Sequence, residues 1–262
     1  MDKMLENYGH NVIAELYDYF ETDTEDIELI RDLIKDKHKL NILECFCGTG
    51  RILIPLALDG HNITGIDLST SMLDRARNKI SKLDNEIKDR ITLLEEDVIN
   101  LDWGKDYDLI VLGGNAFYEL PFANMQEKCI EKAFKALKNN GLLFIDNNDY
   151  KGNWGECDFS KEIITFEGKC ENGCYGKLIR KDDKFDSESK ILYFQRRLHI
   201  MEDNKETILK YYGQKHPVTK AEVEQWLNKY NFTIDKLLGD RDGSEYTSDS
   251  SKAIFLARKT ID

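Results

Sequence analysis

The stretch from Leu40 to Asp67 constrains the fold of this chain more strongly than any other part of the sequence. An apolar run that ends at Cys45 predicts a buried strand, and a loop of small residues at 47–50 follows it. A helical pattern then ends at Gly60, and a second apolar run closes on Asp67. The order of strand, glycine loop, helix, strand and terminal acid predicts a βαβ unit.

A βαβ unit of this kind is suited to holding a nucleoside. Glycine lets the backbone approach a ligand closely, because it has no Cβ atom. The N-terminus of the following helix favours polar or anionic groups, and an acid about twenty residues further on accepts hydrogen bonds from ribose hydroxyls. Asp67 has that position, so we expect it to bind a ribose. An ordinary α/β turn with incidental glycines is the alternative.

The glycine loop differs from the G-x-G-x-x-G pattern of dinucleotide-binding proteins, which makes an NAD-binding protein the weaker alternative. It resembles motif I of the class I S-adenosylmethionine-dependent methyltransferases, acid-x-x-x-G-x-G, with Glu44 as the acid. The resemblance implies a loop that wraps the amino acid part of S-adenosyl-L-methionine, whose product is S-adenosyl-L-homocysteine. The cofactor residues it implies in this loop are Phe46, Cys47, Gly48, Thr49 and Gly50.

Further cofactor residues follow from the same resemblance. Leu68 and Met72 match positions that pack against the adenosine, although Met72 would also serve as a core residue. Asp97 matches an acid that hydrogen-bonds the adenine amino group, and the backbone amide of Val98 matches the one that binds the ring. The fourth predicted strand and the loop at its carboxyl end cover 107–117, and Gly113 at the strand end permits a close backbone approach beside the transferred methyl.

The order of the predicted elements extends the resemblance over residues 40–148. It implies an α/β fold with a doubly wound, mostly parallel sheet of seven strands, which is the Rossmann-like methyltransferase fold. Residues 1–150 and 215–262 form the cofactor-binding domain in this interpretation. Runs near 232–238 and 253–257 supply the closing strand pair of the sheet.

In residues 151–214 the sequence pattern changes to short strand-like runs separated by turns, which predicts an inserted antiparallel sheet. Strand-like runs cover 161–166, 176–180, 190–195, 198–201 and 207–212, with turns predicted at 171–173, 181–184 and 203–204. Because the insertion follows the fifth predicted strand, 141–146, and emerges at its carboxyl edge, we expect it to form a substrate lid. A purely structural flap is the alternative.

Two amphipathic helices are predicted before the first strand, at 4–20 and 25–34. The resemblance implies that such a segment covers the active site, so Tyr8 and Tyr17 are candidates to face cofactor or substrate. Simple packing of both tyrosines is the alternative.

Composition narrows the classes of partner. The chain has 262 residues and a net charge of −12, which disfavours nucleic acid and favours a small-molecule methyl acceptor. No apolar run is long enough to span a membrane, and the N-terminus lacks a signal pattern, so we expect a cytoplasmic protein. The oligomeric state is open, with a homodimer as one option.

The cysteines and histidines predict neither a metal site nor a disulfide. Cys170 and Cys174 have the spacing of half a metal site, but no second pair accompanies them, and Cys157 stands alone. In a reducing cytosol we expect no structural disulfide. Of the five histidines, only His199 and His216 lie near the insertion, and neither has a recognisable catalytic pattern.

Two stretches, 114–121 and 141–150, are similar to the glycine and sarcosine N-methyltransferases. The substrate-holding asparagine of that family falls opposite Asp149, and its arginine falls opposite Asn148, which argues against glycine itself as the acceptor. The interpretation is therefore methyl transfer to a small amine, with Asn115, Tyr118 and Asp149 as the candidate catalytic residues. Asp149 and the rings of Tyr118, Tyr150 and Tyr193 are expected to hold a cation.

Two other classes remain open from the sequence. A methyltransferase that acts on RNA or protein would need a basic patch beside the pocket. A non-catalytic partner subunit would bind S-adenosylmethionine with the loop at 115–118 blocked by its own side chains.

Overall fold

The computed structural model describes residues 10–152, 158–171 and 173–260. The predicted residues Tyr8 and Cys157, and the start of the first predicted helix, lie outside these ranges. Within them the strands form a seven-stranded sheet and a four-stranded sheet. The strands are β1 Asn41–Cys45, β2 Asn62–Asp67, β3 Ile91–Glu95, β4 Tyr107–Leu112, β5 Leu137–Asn148, β6 Glu162–Lys169, β7 Tyr175–Asp186, β8 Ile191–Glu202, β9 Lys205–Lys215, β10 Phe232–Leu238 and β11 Lys252–Lys259. The helices are α1 Asn11–Phe20, α2 Glu25–Ile34, α3 Leu53–Leu58, α4 Thr70–Ser81, α5 Asn85–Lys88, α6 Ala123–Ala136 and α7 Lys220–Lys229.

The larger sheet has the strand order β10-β11-β5-β4-β1-β2-β3. β1 pairs in parallel with β2 on one side and with β4 on the other, while β11 is antiparallel to both β5 and β10. The chain therefore reverses its direction of winding between β1 and β4. In open α/β sheets, ligands bind outside the carboxyl ends of the strands at such a point. The predicted seven-stranded, mostly parallel fold is confirmed.

Strand β4 shows why this sheet is stable. Leu109, Ile110, Val111 and Leu112 are all buried, as expected when helices cover both faces of a parallel sheet. Leu109 and Val111 belong to one apolar core cluster, and Ile110 and Leu112 belong to the other. Because successive side chains of a strand point to opposite faces, these two clusters lie on opposite sides of the sheet.

The smaller sheet is an antiparallel meander with the order β6-β7-β8-β9, as predicted for the insertion. Helix α1 packs on one of its faces, where Val12, Ile13 and Leu16 join a buried cluster with Leu178 and Leu198. The helix at the start of the described chain therefore contacts the inserted sheet directly.

Two details of the predicted insertion are wrong. The turn predicted at 181–184 lies inside β7, and the runs 190–195 and 198–201 form the single strand β8. The acids that resemble a turn are accommodated at an irregularity in the β7–β8 pairing, between Asp182 and Lys184. There Asp182 Oδ1 accepts a hydrogen bond from Arg180 Nε at 2.8 Å, and Asp183 Oδ1 accepts one from Gln195 Nε2 at 2.9 Å.

Candidate active site

The glycine loop leaves β1 in a conformation that few residues adopt. Gly48 and Gly50 have φ angles of 54° and 78°, and Phe46 has a φ of 63° without being a glycine. A non-glycine residue in this region carries backbone strain, which is commonly found at ligand-binding sites. A Cβ on Gly48 would meet nothing within 4 Å, so the space beside this backbone is open.

Asp67 connects the end of β2 to this loop. Its Oδ2 accepts a hydrogen bond from the Gly48 amide at 2.8 Å, and its Oδ1 accepts one from the Ser69 amide at 2.8 Å. Burial raises the pKa of Asp67, although hydrogen bonds from backbone amides counteract this. Since a carboxylate has about four acceptor positions, Asp67 retains capacity for the hydroxyls of a ligand.

Gly65 is a residue of this site that the sequence argument missed. A Cβ at this position would lie 2.5 Å from a methyl of Leu53 and 2.7 Å from the sulfur of Cys47. A glycine is required here because the strand passes directly beneath the loop and its helix. The sequence could have indicated this role, because Gly65 lies within the second apolar run, two residues before Asp67.

Glu44, at the end of β1, is a buried acid that faces the cavity. Its side chain is 3% exposed, and its Oε2 has no hydrogen-bond partner among the described residues. Burial raises the pKa of Glu44 to about 8, against the opposing influence of Arg51 and with the help of Asp26 and Asp67. A buried acceptor without a partner fits an ammonium group, such as that of the amino acid part of S-adenosylmethionine.

A cavity of about 290 Å³ lies at the carboxyl ends of β1, β2 and β4. Most of the predicted cofactor residues line it. These are Glu44, Phe46, Cys47, Gly48, Asp67, Leu68, Met72, Asp97, Val98 and Gly113.

Two predicted cofactor residues, Thr49 and Gly50, are not among the described residues that line this cavity. Thr49 is fully buried, and its hydroxyl donates to Asp18 Oδ1 at 2.5 Å. Asp18 also accepts hydrogen bonds from Arg75 at 2.8 Å and from Lys79 at 3.0 Å. Thr49 and Asp18 thus join α1 to the glycine loop and to α4.

Asn115 and Tyr118 follow β4 and lie next to residues that line the cavity. Neither is itself among the described lining residues. Asn115 has a φ of 61°, and its Oδ1 accepts a hydrogen bond from the Asn148 amide at 2.8 Å. Tyr118 is buried in a short 3₁₀ turn, and the ammonium of Lys215 lies 4.6 Å from the centre of its ring. Burial raises the pKa of Tyr118. In this structure Asn115 connects two strand ends, and Tyr118 contacts a cation.

Asp149 also lies outside the described lining of the cavity. Its Oδ2 accepts hydrogen bonds from Tyr246 at 2.6 Å and from Lys151 at 2.5 Å, and its Oδ1 accepts one from the Lys220 amide at 2.8 Å. The carboxylate therefore joins the end of β5 to the loop before β11 and to the start of α7.

Part of the cavity wall comes from elements that are distant in sequence from the glycine loop. Phe194, Arg196 and Gln214 line it from the inserted sheet, and Tyr17 lines it from α1. Phe194 and Arg196 alternate with outward-facing residues along β8, so their shared face was visible in the sequence. The sequence pattern did not show which of the two faces of β8 would meet the cavity.

A network of buried charges holds α2 and the loop before β11 against the cavity. Arg51 pairs with Asp26 at 2.5 Å, and Arg241 pairs with Asp146 at 2.6 Å. Both aspartates are fully buried, and Arg241 also lies 3.7 Å from Asp26. Neither partner of such a buried pair is removed without leaving an uncompensated charge.

Among the described residues, no histidine lines the cavity, and no group of three or more His, Cys, Asp or Glu is arranged to hold a metal ion. His216 is buried against Gln126, with 2.8 Å between Nδ1 and Oε1. His199 lies beside Glu206 on the inserted sheet. In the described part of the chain, no helix has the length and apolarity required to cross a membrane.

Known methyltransferase sequences resemble the part of the chain that contains the βαβ unit. A family model described as a methyltransferase domain matches residues 43–143. YqeM of Bacillus subtilis, provisionally named a methyltransferase, is 33% identical over 41% of this chain and 42% of its own length. The glycine/sarcosine N-methyltransferase of Parasynechococcus marenigrum is 27% identical over 45% of this chain and 41% of its own length. The chain thus spans about two fifths of the length of these relatives.

Solved structures match nearly the whole chain. An S-adenosylmethionine-dependent methyltransferase from Clostridium acetobutylicum has a TM-score of 0.77 and 16% identity, covering 96% of this chain and 99% of that one. The sugar N-methyltransferase KedS8 from Streptoalloteichus has a TM-score of 0.73 and 13% identity, covering 94% and 91%. At these identities the likeness concerns the fold. Residues 43–143 thus match a methyltransferase domain, and the chain as a whole is similar in fold to S-adenosylmethionine-dependent methyltransferases.

Proposed function

We propose that this chain transfers a methyl group from S-adenosylmethionine to the nitrogen of a small-molecule acceptor. The observation that carries the proposal is the buried Oε2 of Glu44, which faces the same cavity as Asp67 and has no partner among the described residues. An ammonium group and a ribose are the groups that these two acids would bind. Both belong to one cofactor, and the acids stand at the ends of adjacent strands.

The cofactor, when bound, supplies a sulfonium whose methyl group is electrophilic. The residues of the chain then bind and orient it. Asp67 would accept hydrogen bonds from the ribose hydroxyls, and Asp97 would accept one from the adenine amino group. Leu68 and Met72 line the same cavity and would supply apolar contacts for the adenosine. Catalysis of this kind depends on alignment of donor and acceptor and on exclusion of water.

The acceptor end of the cavity favours nitrogen over oxygen as the methylated atom. An amine that arrives neutral needs no general base, whereas a hydroxyl commonly needs one. Among the described residues, Glu119 is the acid of the lining that lies beside Phe194 and Arg196. Although burial opposes the effect, Lys215 and Arg196 lower the pKa of Glu119, which makes its carboxylate a weak base. One curated relative and one similar structure are named N-methyltransferases, which supports nitrogen as the methylated atom.

The inserted sheet is proposed as the substrate lid, with residues 1–150 and 215–262 as the cofactor-binding domain. The contribution of Phe194, Arg196 and Gln214 to the cavity wall supports this role. Helix α1 packs on the same sheet and adds Tyr17 to the wall. The lid and this helix together would shield the acceptor from water.

Methyl transfer is tested directly with S-adenosylmethionine that carries a labelled methyl group. Panels of small amines, phenols and carboxylic acids are incubated with the chain, and labelled products are separated and identified. We expect label on an amine nitrogen and loss of transfer in Asp67→Ala, with transfer retained in Asp74→Asn, an exposed acid on α4. Label on an oxygen alone would contradict the choice of nitrogen. Equal transfer by Asp67→Ala would contradict the proposed cofactor site.

A further inference from the structure

Two cysteines face each other across the hairpin that joins β6 to β7. Cys170 directly follows β6 and Cys174 directly precedes β7, and the Cys170 amide donates a hydrogen bond to the Cys174 carbonyl at 2.8 Å. The thiol of Cys170 also forms a hydrogen bond with that of Cys174. Facing residues of antiparallel strands have Cα atoms about 4.5–5.5 Å apart, and a disulfide joins residues with Cα atoms about 4.4–6.8 Å apart. The two cysteines are therefore placed to form a disulfide with little movement of the backbone.

The cysteine pair lies on the face of the inserted sheet that α1 covers. Both cysteines are buried in the same core cluster as Val12 and Leu16 of α1. Beside them, Gly168 and Gly176 are opposite each other in the strand register. A Cβ on Gly176 would lie 2.6 Å from a methyl of Val12 and 2.8 Å from one of Leu16. Helix α1 therefore packs directly on the backbone next to the two thiols, and a change in the spacing of these strands would move it.

A series of hydrogen bonds connects the same hairpin to the glycine loop. Glu171 lies between the two cysteines, and its amide donates a hydrogen bond to the carboxylate of Glu15 on α1. The Glu171 carboxylate accepts one from Arg75 Nη2 at 3.2 Å, and Arg75 Nε donates to Asp18 Oδ2 at 2.8 Å. Asp18 Oδ1 accepts a hydrogen bond from the Thr49 hydroxyl at 2.5 Å. The conformation of the hairpin is thus coupled to that of the loop beside the cofactor cavity.

A second cavity gives small molecules a route to the pair. Its volume is about 470 Å³, and its described wall includes Cys174, His10 at the start of α1, and Leu209 on β9. Burial, together with the hydrogen bond with Cys174, raises the pKa of the Cys170 thiol to about 12. Because the thiolate is the reactive form of cysteine, the pair reacts slowly while α1 covers it. A bound cofactor that holds the glycine loop and α1 in place should slow the reaction further.

We propose that Cys170 and Cys174 are a site of reversible oxidation, and that their disulfide weakens cofactor binding through α1 and the glycine loop. The oxidant is a small-molecule disulfide such as oxidised glutathione. One cysteine thiolate attacks a sulfur of this disulfide and expels the other half as a thiolate, and the second cysteine then attacks the mixed disulfide and expels the remaining half. Two protein thiols are oxidised, one small-molecule disulfide is reduced to two thiols, and the two protons pass to the leaving groups. The effect on cofactor binding rests on the proposed function, whereas the disulfide itself does not.

The test uses the full chain, equilibrated with fixed ratios of reduced and oxidised glutathione and then alkylated in denaturant. Trypsin cleaves after Lys169 and Lys177, so one peptide carries both cysteines. The disulfide protects both of them from alkylation, and mass spectrometry measures the protected fraction. Calorimetric titration gives the affinity of each sample for S-adenosylhomocysteine.

The double variant Cys170→Ala/Cys174→Ala removes the pair. Cys129→Ala is the matched control, because Cys129 is a buried cysteine of α6 in a different core cluster. The affinity of each reduced variant for S-adenosylhomocysteine reports whether it is folded.

We expect the protected peptide under oxidising ratios, with the affinity of the oxidised chain for S-adenosylhomocysteine about fivefold weaker, at the lower end of allosteric couplings. Cys129→Ala should behave like the unmodified chain, and the double variant should keep its affinity in oxidised glutathione. Because coupling between two equilibria is reciprocal, saturating S-adenosylhomocysteine should lower the equilibrium constant for disulfide formation by the same factor.

Full alkylation of both cysteines at every glutathione ratio overturns the proposed site. Unchanged affinity of the unmodified chain once the disulfide has formed overturns the coupling, as does an equal loss of affinity in the oxidised double variant. Failure of the reduced, unmodified chain to bind S-adenosylhomocysteine overturns the proposed function and the coupling, and the alkylation result then still decides the disulfide.

Discussion

The carboxylate of Asp67 accepts a hydrogen bond from the backbone amide of Gly48 at 2.8 Å. This bond connects the acid at the end of β2 to the glycine loop that follows β1, across 19 residues of sequence. The acid and the loop therefore form one rigid wall of the cavity. A ligand that contacts both would meet a surface that is already in place.

Replacement of Asp67 by alanine should weaken binding of S-adenosylhomocysteine by about 1–3 kcal/mol, because hydrogen bonds to a charged group are lost. Isothermal titration measures the change. Asp74→Asn is the control, since Asp74 is exposed on α4 and pairs only at the surface with Arg77. Equal affinity in Asp67→Ala and the unmodified chain would remove Asp67 from the site.

The affinity for S-adenosylhomocysteine should depend on pH through Glu44. Burial raises the pKa of Glu44 to about 8, so the free protein holds a proton on this group at neutral pH. An ammonium ligand requires the ionised form, and binding must therefore release that proton. We expect affinity to rise between about pH 6 and pH 8 and then to level off. Glu44→Gln should remove this dependence, and titrations in buffers of different ionisation enthalpy should show proton release only with Glu44. An unchanged pH profile in Glu44→Gln would contradict the assignment.

Glu44 should also reduce the stability of the ligand-free chain at alkaline pH. The raised pKa means that the folded state holds a proton that the unfolded state has already lost above its ordinary value of 4.5. Stability from this group is therefore complete below about pH 4.5 and is lost as pH rises towards 8. Urea unfolding at pH 6 and pH 8 should show a smaller difference for Glu44→Gln than for the unmodified chain. A difference of the same size would assign the pH dependence to other groups.

Asp146→Asn should destabilise the fold by about 3 kcal/mol, because it leaves the largely buried guanidinium of Arg241 without a full counter-charge. Urea denaturation measures this loss. Asp59→Asn is the matched control, because Asp59 pairs with Arg31 at the surface, where such pairs contribute about 0–1 kcal/mol. Similar losses in the two variants would show that the buried network has no special role in stability.

Asp18→Asn should loosen helix α1 from the cofactor loop. Asp18 accepts hydrogen bonds from Thr49, Arg75 and Lys79, and the substitution weakens each of them. We expect S-adenosylhomocysteine to dissociate about tenfold faster, as for a change of about 1.4 kcal/mol in binding. Stopped-flow displacement measures the rate, with Asp32→Asn on α2 as the control. An unchanged rate in Asp18→Asn would show that α1 does not retain the ligand.

The sequence was sufficient for those parts of the site that are local. The cap of α4 is an example, because the Ser69 hydroxyl accepts a hydrogen bond from the Met72 amide three residues later, and serine before a helix is a common N-cap. The seven-stranded sheet was predictable because the order of the predicted elements resembles that of the class I methyltransferases.

The acceptor end of the cavity depends on contacts between distant residues, and no local pattern specifies these. Glu119 pairs with Lys215 across 96 residues, and Arg241 pairs with Asp146 across 95. The sequence argument chose Asp149 for the acceptor because it falls opposite the substrate-holding asparagine of the glycine and sarcosine N-methyltransferases. The hydrogen bond from Tyr246, 97 residues away, was not visible in any motif.

The central claim is that this cavity binds S-adenosylmethionine through Glu44 and Asp67. Isothermal titration of S-adenosylmethionine, S-adenosylhomocysteine and NAD into the unmodified chain tests it most directly. The account predicts saturable one-to-one binding of the first two and no binding of NAD. Failure of both sulfur compounds to bind, or tighter binding of NAD, would contradict it.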